Sequence, residues 1–343
     1  MSIHDVVKGL SKGVYIIAEI GVNHNGSLQL ALEMIDRAVE CGADAVKFQT
    51  FNSDKLVTPS AEKAKYQIAN GTGDESQLAM LKKLELTFKD FRTIKDYCDN
   101  KNVDFLSTPF DEESADFLYS LNVNGFKVGS GDMNNIPLLR RLDQYRLPII
   151  LSTGMATLEE VQESLDSLLY SKVAILHCTS EYPAPLEEVN LLAMKTMESS
   201  FHRIIGFSDH TVGSEAAISA VALGAKIIEK HLTLDRNLPG PDHRASMEPE
   251  EFTQMVKSIR KTELLLGDGI KRTMPSEVNT KKVARKSIVT TRKLCIGEII
   301  TESDLNLKRP GDGIEPKFIY QLIGKKVVRE VDKDQCLSWD DVE

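Results

Sequence analysis

Long apolar runs are missing from this chain: no stretch approaches the roughly 18 consecutive apolar residues of a membrane-spanning helix, so no membrane partner is expected. The N-terminus lacks the basic-then-apolar layout of a secretory signal. Cysteine is sparse. Its five copies (Cys41, Cys98, Cys178, Cys295 and Cys336) are odd in number and scattered, and none forms a Cys-x-x-Cys pair. That pattern disfavours a disulfide framework and a zinc-thiolate site, and it fits reduced thiols in a cytoplasmic protein. Positive charge is also in deficit, with 42 Lys and Arg against 51 Asp and Glu for a net charge of −9. Non-specific nucleic-acid binding draws its affinity from phosphate neutralisation, so no nucleic-acid partner is expected. A small anion stays within reach wherever a few lysines converge. No Gly-x-Gly-x-x-Gly turn follows the first strand-like run, which argues against a dinucleotide-binding sheet.

What is present supports a large ordered core, since 41% of residues are hydrophobic and 27% charged. From Tyr15 to about Gly267, short apolar runs alternate with amphipathic stretches. The predicted strands are Tyr15–Glu19, Ala45–Phe48, Val103–Ser107, Gly125–Val128, Ile149–Ser152, Val173–His177, Ile204–Phe207 and Lys226–Lys230. Helical patterns lie between or after them, including Leu28–Glu40, Phe88–Asn100, Glu112–Leu121, Leu158–Leu169, Glu187–Met197, Ser214–Leu223 and Glu250–Leu266. Eight strands alternating with helices predict an α/β fold, a (β/α)8 barrel spanning residues 1–267. The segment Asn52–Leu86 exceeds a normal strand-to-helix loop and reads as a lid. Residues 268–282 read as a polar linker. Residues 283–343 read as a small β-rich module, with strand-like runs at Lys286–Thr290 and Glu298–Ile300. A lone core is marginal at that size, so the module is expected to dock on something.

In a barrel of this kind chemistry sits at the carboxyl ends of the strands. Strand one ends in Glu19 and leads into Asn23-His24-Asn25-Gly26. Strand two carries Lys47 and Gln49, two apart and therefore on one face. Ser107-Thr108 follows strand three. Strand four brings Lys127 and the loop Gly129-Ser130-Gly131-Asp132, and strand five ends in Ser152. Strand six leads to Tyr182, strand seven delivers Ser208, Asp209 and His210, and strand eight delivers His231. Two imidazoles beside an acid such as Asp209 suggest a divalent-cation site. Lys47 and Lys127, with the hydroxyls of Thr108, Ser130, Ser152 and Ser208, make a cradle for a phosphate or phosphate-carboxylate ligand. His24 and His243 read as turn or loop formers, and His177 and Cys178 as core.

The motifs Tyr15-Ile-Ile-Ala-Glu-Ile-Gly-Val-Asn-His-Asn-Gly26, Val46-Lys-Phe-Gln-Thr50, Phe105-Leu-Ser-Thr-Pro-Phe110, Lys127-Val-Gly-Ser-Gly131, Leu151-Ser-Thr-Gly-Met155, Gly206-Phe-Ser-Asp-His-Thr211, Glu229-Lys-His-Leu-Thr233 and Pro239-Gly-Pro-Asp-His243 resemble those of the sialic acid synthase family. The C-terminal module, with Lys308-Arg-Pro-Gly-Asp-Gly313, resembles that family's antifreeze-like (SAF) domain. The resemblance implies condensation of phosphoenolpyruvate with an N-acetylated amino sugar. N-acetylmannosamine is the first expectation. A di-N-acetylated 6-deoxy sugar, giving legionaminate or pseudaminate, is the alternative, and a 6-phosphorylated N-acetylmannosamine is also open. It also implies a metal on His210 and His231, manganese in the first instance with magnesium or cobalt as alternatives. Phosphoenolpyruvate would lie on Lys47, Gln49, Thr108, Lys127, Ser130, Ser152 and Ser208. Glu19, Asp132, Tyr182, Asp242 and Arg309 would face the sugar, with Arg309 reaching in from the partner of a domain-swapped homodimer. Glu19, His210, His231 and Arg309 would take part in catalysis. Asp132 and Ser180 depart from one common pattern of the family, which bears on the identity of the sugar. Two other readings compete: a metal-independent aldolase with Lys127 as Schiff-base nucleophile, and a non-enzymatic ice- or carbohydrate-binding protein.

Overall fold

The structure is a computed structural model that describes residues 1–64, 67–68 and 75–343. It divides into two compact units, Met1–Gly267 and Asp268–Glu343.

The first unit is built on eight parallel strands: β1 (Tyr15–Gly21), β2 (Ala45–Thr50), β3 (Asp104–Pro109), β4 (Phe126–Val128), β5 (Ile149–Ser152), β6 (Val173–His177), β7 (Ile204–Asp209) and β8 (Ile227–His231). Their order is β3-β2-β1-β8-β7-β6-β5-β4, the order of a (β/α)8 barrel. The outermost two, β3 and β4, lie alongside each other without a backbone rung between them among the described residues. One side-chain bond crosses this seam near its base, from Asn124 to Asp104 at 3.2 Å.

Period-two alternation sorts each strand into an inner and an outer face. Tyr15, Ile17, Ala45, Leu106, Ile150, Ala174, Leu176 and Ile227 pack together inside the barrel. Ile16, Ala18, Val46, Phe105, Phe126, Val128, Leu151 and Ile228 join the larger core under the helices. The short helix Ile3–Val7, capped by Ser2, presents Ile3, Val6 and Val7 to the inner cluster and closes the amino-terminal end.

The surrounding helices form where sequence caps and apolar spacing agree. Phe88–Lys101 starts at a capping box between Thr87 and Asp90 and stops at Asn102, whose φ of 56° is the left-handed conformation that asparagine tolerates. Its Phe91, Ile94 and Cys98, spaced by three and four, are buried against the sheet. Each such side chain contributes on the order of 1.5–3 kcal/mol when fully buried, so a charge at Ile94 would undo this packing. Leu158–Asp166 opens on a capping box at Thr157 and Glu160. Between β4 and β5, Asn135 caps a further helix, Ile136–Gln144, with Pro137 in its first turn.

The excursion after β2 holds the helices Ser53–Leu56 and Gln77–Leu84. Its two ends are tied where the Ser53 N–H donates to Glu85 Oε2 at 2.9 Å. Val22, Phe51, Met80 and Leu84 pack under it. Part of the expected lid, residues 65–66 and 69–74, lies outside the described residues.

In the second unit a 3-10 turn, Pro275–Glu277, runs into the helix Val278–Ala284, so the segment read as linker is partly helical. Strands β9 (Ser287–Thr290) and β10 (Leu305–Lys308) pair antiparallel. The expected strand at Glu298–Ile300 makes only an isolated bridge, Ile299 to Lys326, because the chain there is bent between turns. Ile288, Leu294, Ile300, Ile314, Leu322, Val327, Val331 and Leu337 form this unit's core.

Candidate active site

Moving up the inner face from the apolar floor, the side chains become polar at the carboxyl ends of the strands. Glu19 on β1, Lys47 on β2, Thr108 on β3, Lys127 on β4, Ser152 on β5, Ser208 on β7 and Glu229 and His231 on β8 are all buried, with His210 just beyond β7. Each lies an even number of residues beyond an inner apolar side chain of its own strand or beside an outer one, as Ile17 precedes Glu19 and Ile227 precedes Glu229. A buried charge costs several kcal/mol unless paired. Here the charges are paired. Lys47 Nζ sits 2.8 Å from Glu19 Oε2 and donates to Thr108 Oγ1 at 3.3 Å. Lys127 Nζ lies 3.4 Å from Glu229 Oε1, which also accepts from Ser208 Oγ at 2.8 Å. Gln49 Nε2 reaches Glu19 Oε1 at 3.4 Å.

The two carboxyls differ in character. Burial pushes Glu19 up from the ordinary carboxylate range, against the pull of Lys47. Burial acts on Glu229 too, but Lys127, Lys47 and the Ser208 hydroxyl together hold it down. Asp242, in the loop after β8, is buried near Lys47 and is pushed up to about 6 by that burial. Two lysines thus face three carboxyls, so the cavity carries no surplus positive charge for an incoming anion. Burial lowers Lys127, while the neighbouring Glu229 raises it.

The imidazoles are neutral. Burial takes His210 down to about 4 and His231 well below its ordinary range. Their ring centroids are 5.7 Å apart, with the Tyr182 ring 4.1 Å from His210 and 5.5 Å from His231. His210 Nδ1 lies 2.6 Å from the Thr179 carbonyl, an acceptor only, so Nδ1 carries the proton and Nε2 the lone pair. Ser208 Oγ is 3.4 Å from that Nε2, but its single proton is committed to Glu229. His231 Nδ1, Glu229 Oε2, Glu19 Oε2 and Ser152 Oγ are buried without a hydrogen-bond partner, although Glu19 Oε2 keeps its ion pair with Lys47.

Among the described residues, no three His, Cys, Asp or Glu side chains close around one point as a complete metal cage. Two neutral imidazoles with an uncommitted lone pair beside the unpartnered Glu229 Oε2 nevertheless fit a divalent cation that completes its shell from water or substrate.

The hydroxyl side of the cradle is assembled from loops. Gly154 N–H donates to Ser130 Oγ at 2.9 Å, and Ser130 Oγ touches Cys178 Sγ at 3.2 Å. A Cβ on Gly154 would collide with Ser180 Oγ and meet Ser130 Oγ at 2.9 Å, so only glycine lets this backbone approach. Asp132 is half-buried in the turn Ser130–Asp132, where Asn135 Nδ2 donates to it at 3.0 Å. Arg309 belongs to the second unit, where it is exposed just after β10.

Two readings change. Asp209 does not accompany the imidazoles: it faces away from the barrel interior and pairs with Lys230 at 2.9 Å, because it alternates with Ser208 and His210. The acid on the imidazole side is Glu229, which the sequence reading passed over; counting back two from His231 would have found it. Cys178 is buried as expected, yet it borders the Ser130 hydroxyl of the cradle. His24 Nδ1 accepts the Gly26 N–H at 3.1 Å within its turn, and His243 Nδ1 lies 2.7 Å from Thr233 Oγ1. His177 Nε2 lies 2.7 Å from the Val189 carbonyl.

A barrel interior that is apolar at its floor and lined above, at the carboxyl ends of the strands, with two lysines, hydroxyls, paired carboxylates and two neutral imidazoles is the arrangement of a (β/α)8 enzyme. Residues 34–271 match the model of the NeuB family and residues 285–343 that of the SAF domain. The chain belongs to the NeuB family, the sialic acid synthases that its motifs resemble. It is 44% identical to the N,N'-diacetyllegionaminic acid synthase of Legionella pneumophila, over 98% of this chain and 96% of that one. It is 36% identical to the N-acetylneuraminate-9-phosphate synthase of Homo sapiens, over 94% and 91%. The crystal structure of an N-acetylneuraminic acid synthetase from Leptospira borgpetersenii, in complex with citrate, matches 78% of this chain and 90% of its own, at 36% identity and a TM-score of 0.70. No helix among the described residues is long and apolar enough to cross a membrane.

Proposed function

We propose that this enzyme condenses phosphoenolpyruvate with a di-N-acetylated 6-deoxy amino sugar and water, giving a nine-carbon 2-keto acid of the legionaminate type and phosphate. The observation that carries the reaction class is the buried Lys47–Glu19 and Lys127–Glu229 pairing beside two neutral imidazoles. The identity of 44% to a diacetyllegionaminic acid synthase, against 36% to an N-acetylneuraminate-9-phosphate synthase, moves the sugar from N-acetylmannosamine to the alternative.

Lys47 and Lys127 hold the phosphate and carboxylate groups, assisted by Gln49, Thr108, Ser130, Ser152 and Ser208. The bond formed joins C3 of phosphoenolpyruvate to the aldehyde carbon of the sugar, water adds to C2, and the C2–O bond to phosphate breaks. Glu19 accepts the proton that the water gives up and passes it to the former aldehyde oxygen, and the C2 hydroxyl proton leaves with phosphate as the keto group forms. His210 and His231 would hold a divalent cation, manganese by first expectation, which would supply Lewis acidity toward the aldehyde and offset part of the substrate's negative charge. Tyr182, Asp132 and Asp242 face the sugar. Arg309 reaches it from the partner subunit of a swapped homodimer, a role resting on the family resemblance.

Phosphate release from phosphoenolpyruvate, measured against a panel of amino sugars, tests the reading. The 2,4-diacetamido-6-deoxy sugar is expected to give the highest kcat/KM. A preference for N-acetylmannosamine or its 6-phosphate would reject the sugar, and no phosphate release with any of them would reject the reaction. The lowering of Lys127 by burial is the one feature that favours a Schiff-base aldolase. Its ion pair with Glu229 opposes that chemistry, and borohydride with pyruvate is expected to trap no adduct.

A further inference from the structure

The outer face of β7 and β8 carries a charge pair that the proposed chemistry leaves unused. Asp209 and Lys230 are opposite each other in the β7–β8 ladder and form its last recorded rung. Both side chains are essentially inaccessible, at 0% and 1% exposure, and their charged atoms are 2.9 Å apart. Lys230 Nζ also donates to the Thr211 carbonyl at 2.5 Å. Thr211 donates twice to Asp209 Oδ1, from its N–H at 2.9 Å and its hydroxyl at 2.8 Å. The residue enclosed by this network, between Asp209 and Thr211, is His210. The residue following Lys230 is His231.

We infer that the Asp209–Lys230 pair is a positioning device that sets the separation and orientation of the two imidazoles, an inference that rests on the proposed role of His210 and His231. The ladder ends before His210, so backbone pairing alone does not fix that residue against β8. The Lys230 ammonium replaces the missing rung by gripping the chain on both sides of His210. On the inner side the His210 ring is held by the Thr179 carbonyl, and its backbone carbonyl accepts from Ala184 N–H at 2.9 Å. A fully buried ion pair is seldom the most stable filling of its space, since apolar or neutral groups of similar volume are often as good. Its presence directly behind the two histidines makes geometric sense as a means of placing them.

Stability and function should therefore separate. In Asp209→Asn/Lys230→Met, the amide still accepts from Thr211, and both charges leave together. This variant is expected to fold with a Tm close to wild type. Its kcat should fall about ten-fold or more, the size typical of lost outer-shell support, while KM for phosphoenolpyruvate stays unchanged. Titration of the protein with Mn2+ should show an affinity weaker by about the same factor. The 15N spectrum of the His210 imidazole, read without metal, should lose its single fixed tautomer. Lys230→Arg, which keeps a charge and two donors, should restore both readouts. If the double variant fails to fold, Asp209→Asn/Lys230→Leu, which also removes both charges together, takes its place and is judged by the same measurements. A folded variant with wild-type kcat and an unchanged imidazole spectrum overturns the inference. So does a fall in kcat matched by a rise in KM for phosphoenolpyruvate, which marks general damage. Wild-type protein that takes up no Mn2+ defeats the metal reading alone, and the clamp is then decided by the kcat split and the imidazole spectrum.

Discussion

Replacing Lys127 by methionine would separate its two roles, counter-ion to Glu229 and anchor for an anion. The Lys127–Glu229 pair is fully buried, and removing one partner of such a pair costs about 3–5 kcal/mol. In a unit of this size each kcal/mol shifts Tm by roughly 2–4 °C, so Lys127→Met should lower it by about 10 °C. Adding Glu229→Gln removes the stranded carboxylate and leaves an oxygen for the Ser208 hydroxyl, now 2.8 Å from Glu229. Most of the lost Tm should return. Affinity for phosphoenolpyruvate should not. A charge-assisted hydrogen bond is worth about 1.5–3 kcal/mol, so Kd for phosphoenolpyruvate should rise by about 10- to 150-fold in both the single and the double variant. Calorimetric titration with phosphoenolpyruvate, beside thermal unfolding, reads both quantities without relying on turnover. Recovery of wild-type Kd in the double variant would refute the cradle and leave Lys127 as a counter-ion only.

Chelator should abolish phosphate release and Mn2+ restore it, and His210→Ala and His231→Ala should each be inactive yet folded; full activity in excess chelator would sink the metal assignment. Burial holds His24, His210 and His243 at about 4, so below the ordinary histidine value of about 6.5 the unfolded chain takes up protons that the native one does not. Asp242, at about 6, with Glu19 and Asp132, also raised by burial, works the other way, but with His177 and His231 lowered as well five imidazoles outweigh three carboxyls, and Tm at constant ionic strength should fall between pH 7 and pH 5. Mixing Arg309→Ala with His231→Ala subunits under exchange places one of each in about half of the dimers, and one site of each mixed dimer is then intact if Arg309 serves its partner. Activity should return on mixing, and its absence after proven exchange would reject the swap.

The barrel is legible because short apolar runs bounded by polar turns alternate with stretches of helical periodicity; all eight strands lie within two residues or so of the reading. Lys47 and Gln49 were paired correctly by counting in twos. At the ends of β7 and β8 the same count separates Asp209 from the imidazoles and puts Glu229 on the face of His231, whereas nearness in sequence alone joins Asp209 to His210. The hairpin of the second unit was harder to see. Leu305–Lys308 has alternating polar residues and little β-branching, whereas Glu298–Ile300 looks strand-like but bends between turns. Partner choice there depends on contacts remote in sequence, such as Leu337 N–H on the Ile288 carbonyl, which local pattern does not encode.

The unlaced seam between β3 and β4 has a mechanical meaning. Thr108 ends one side of it and Lys127 and Ser130 the other, and these are groups assigned to the same anion. A bound anion spanning them would act as a rivet across the one join that the backbone leaves open among the described residues. The amides of β3 and β4 should then be the barrel's fastest to exchange with deuterium in the free enzyme. They should slow the most when phosphoenolpyruvate binds, which would make catalysis and the tightening of the wall a single event.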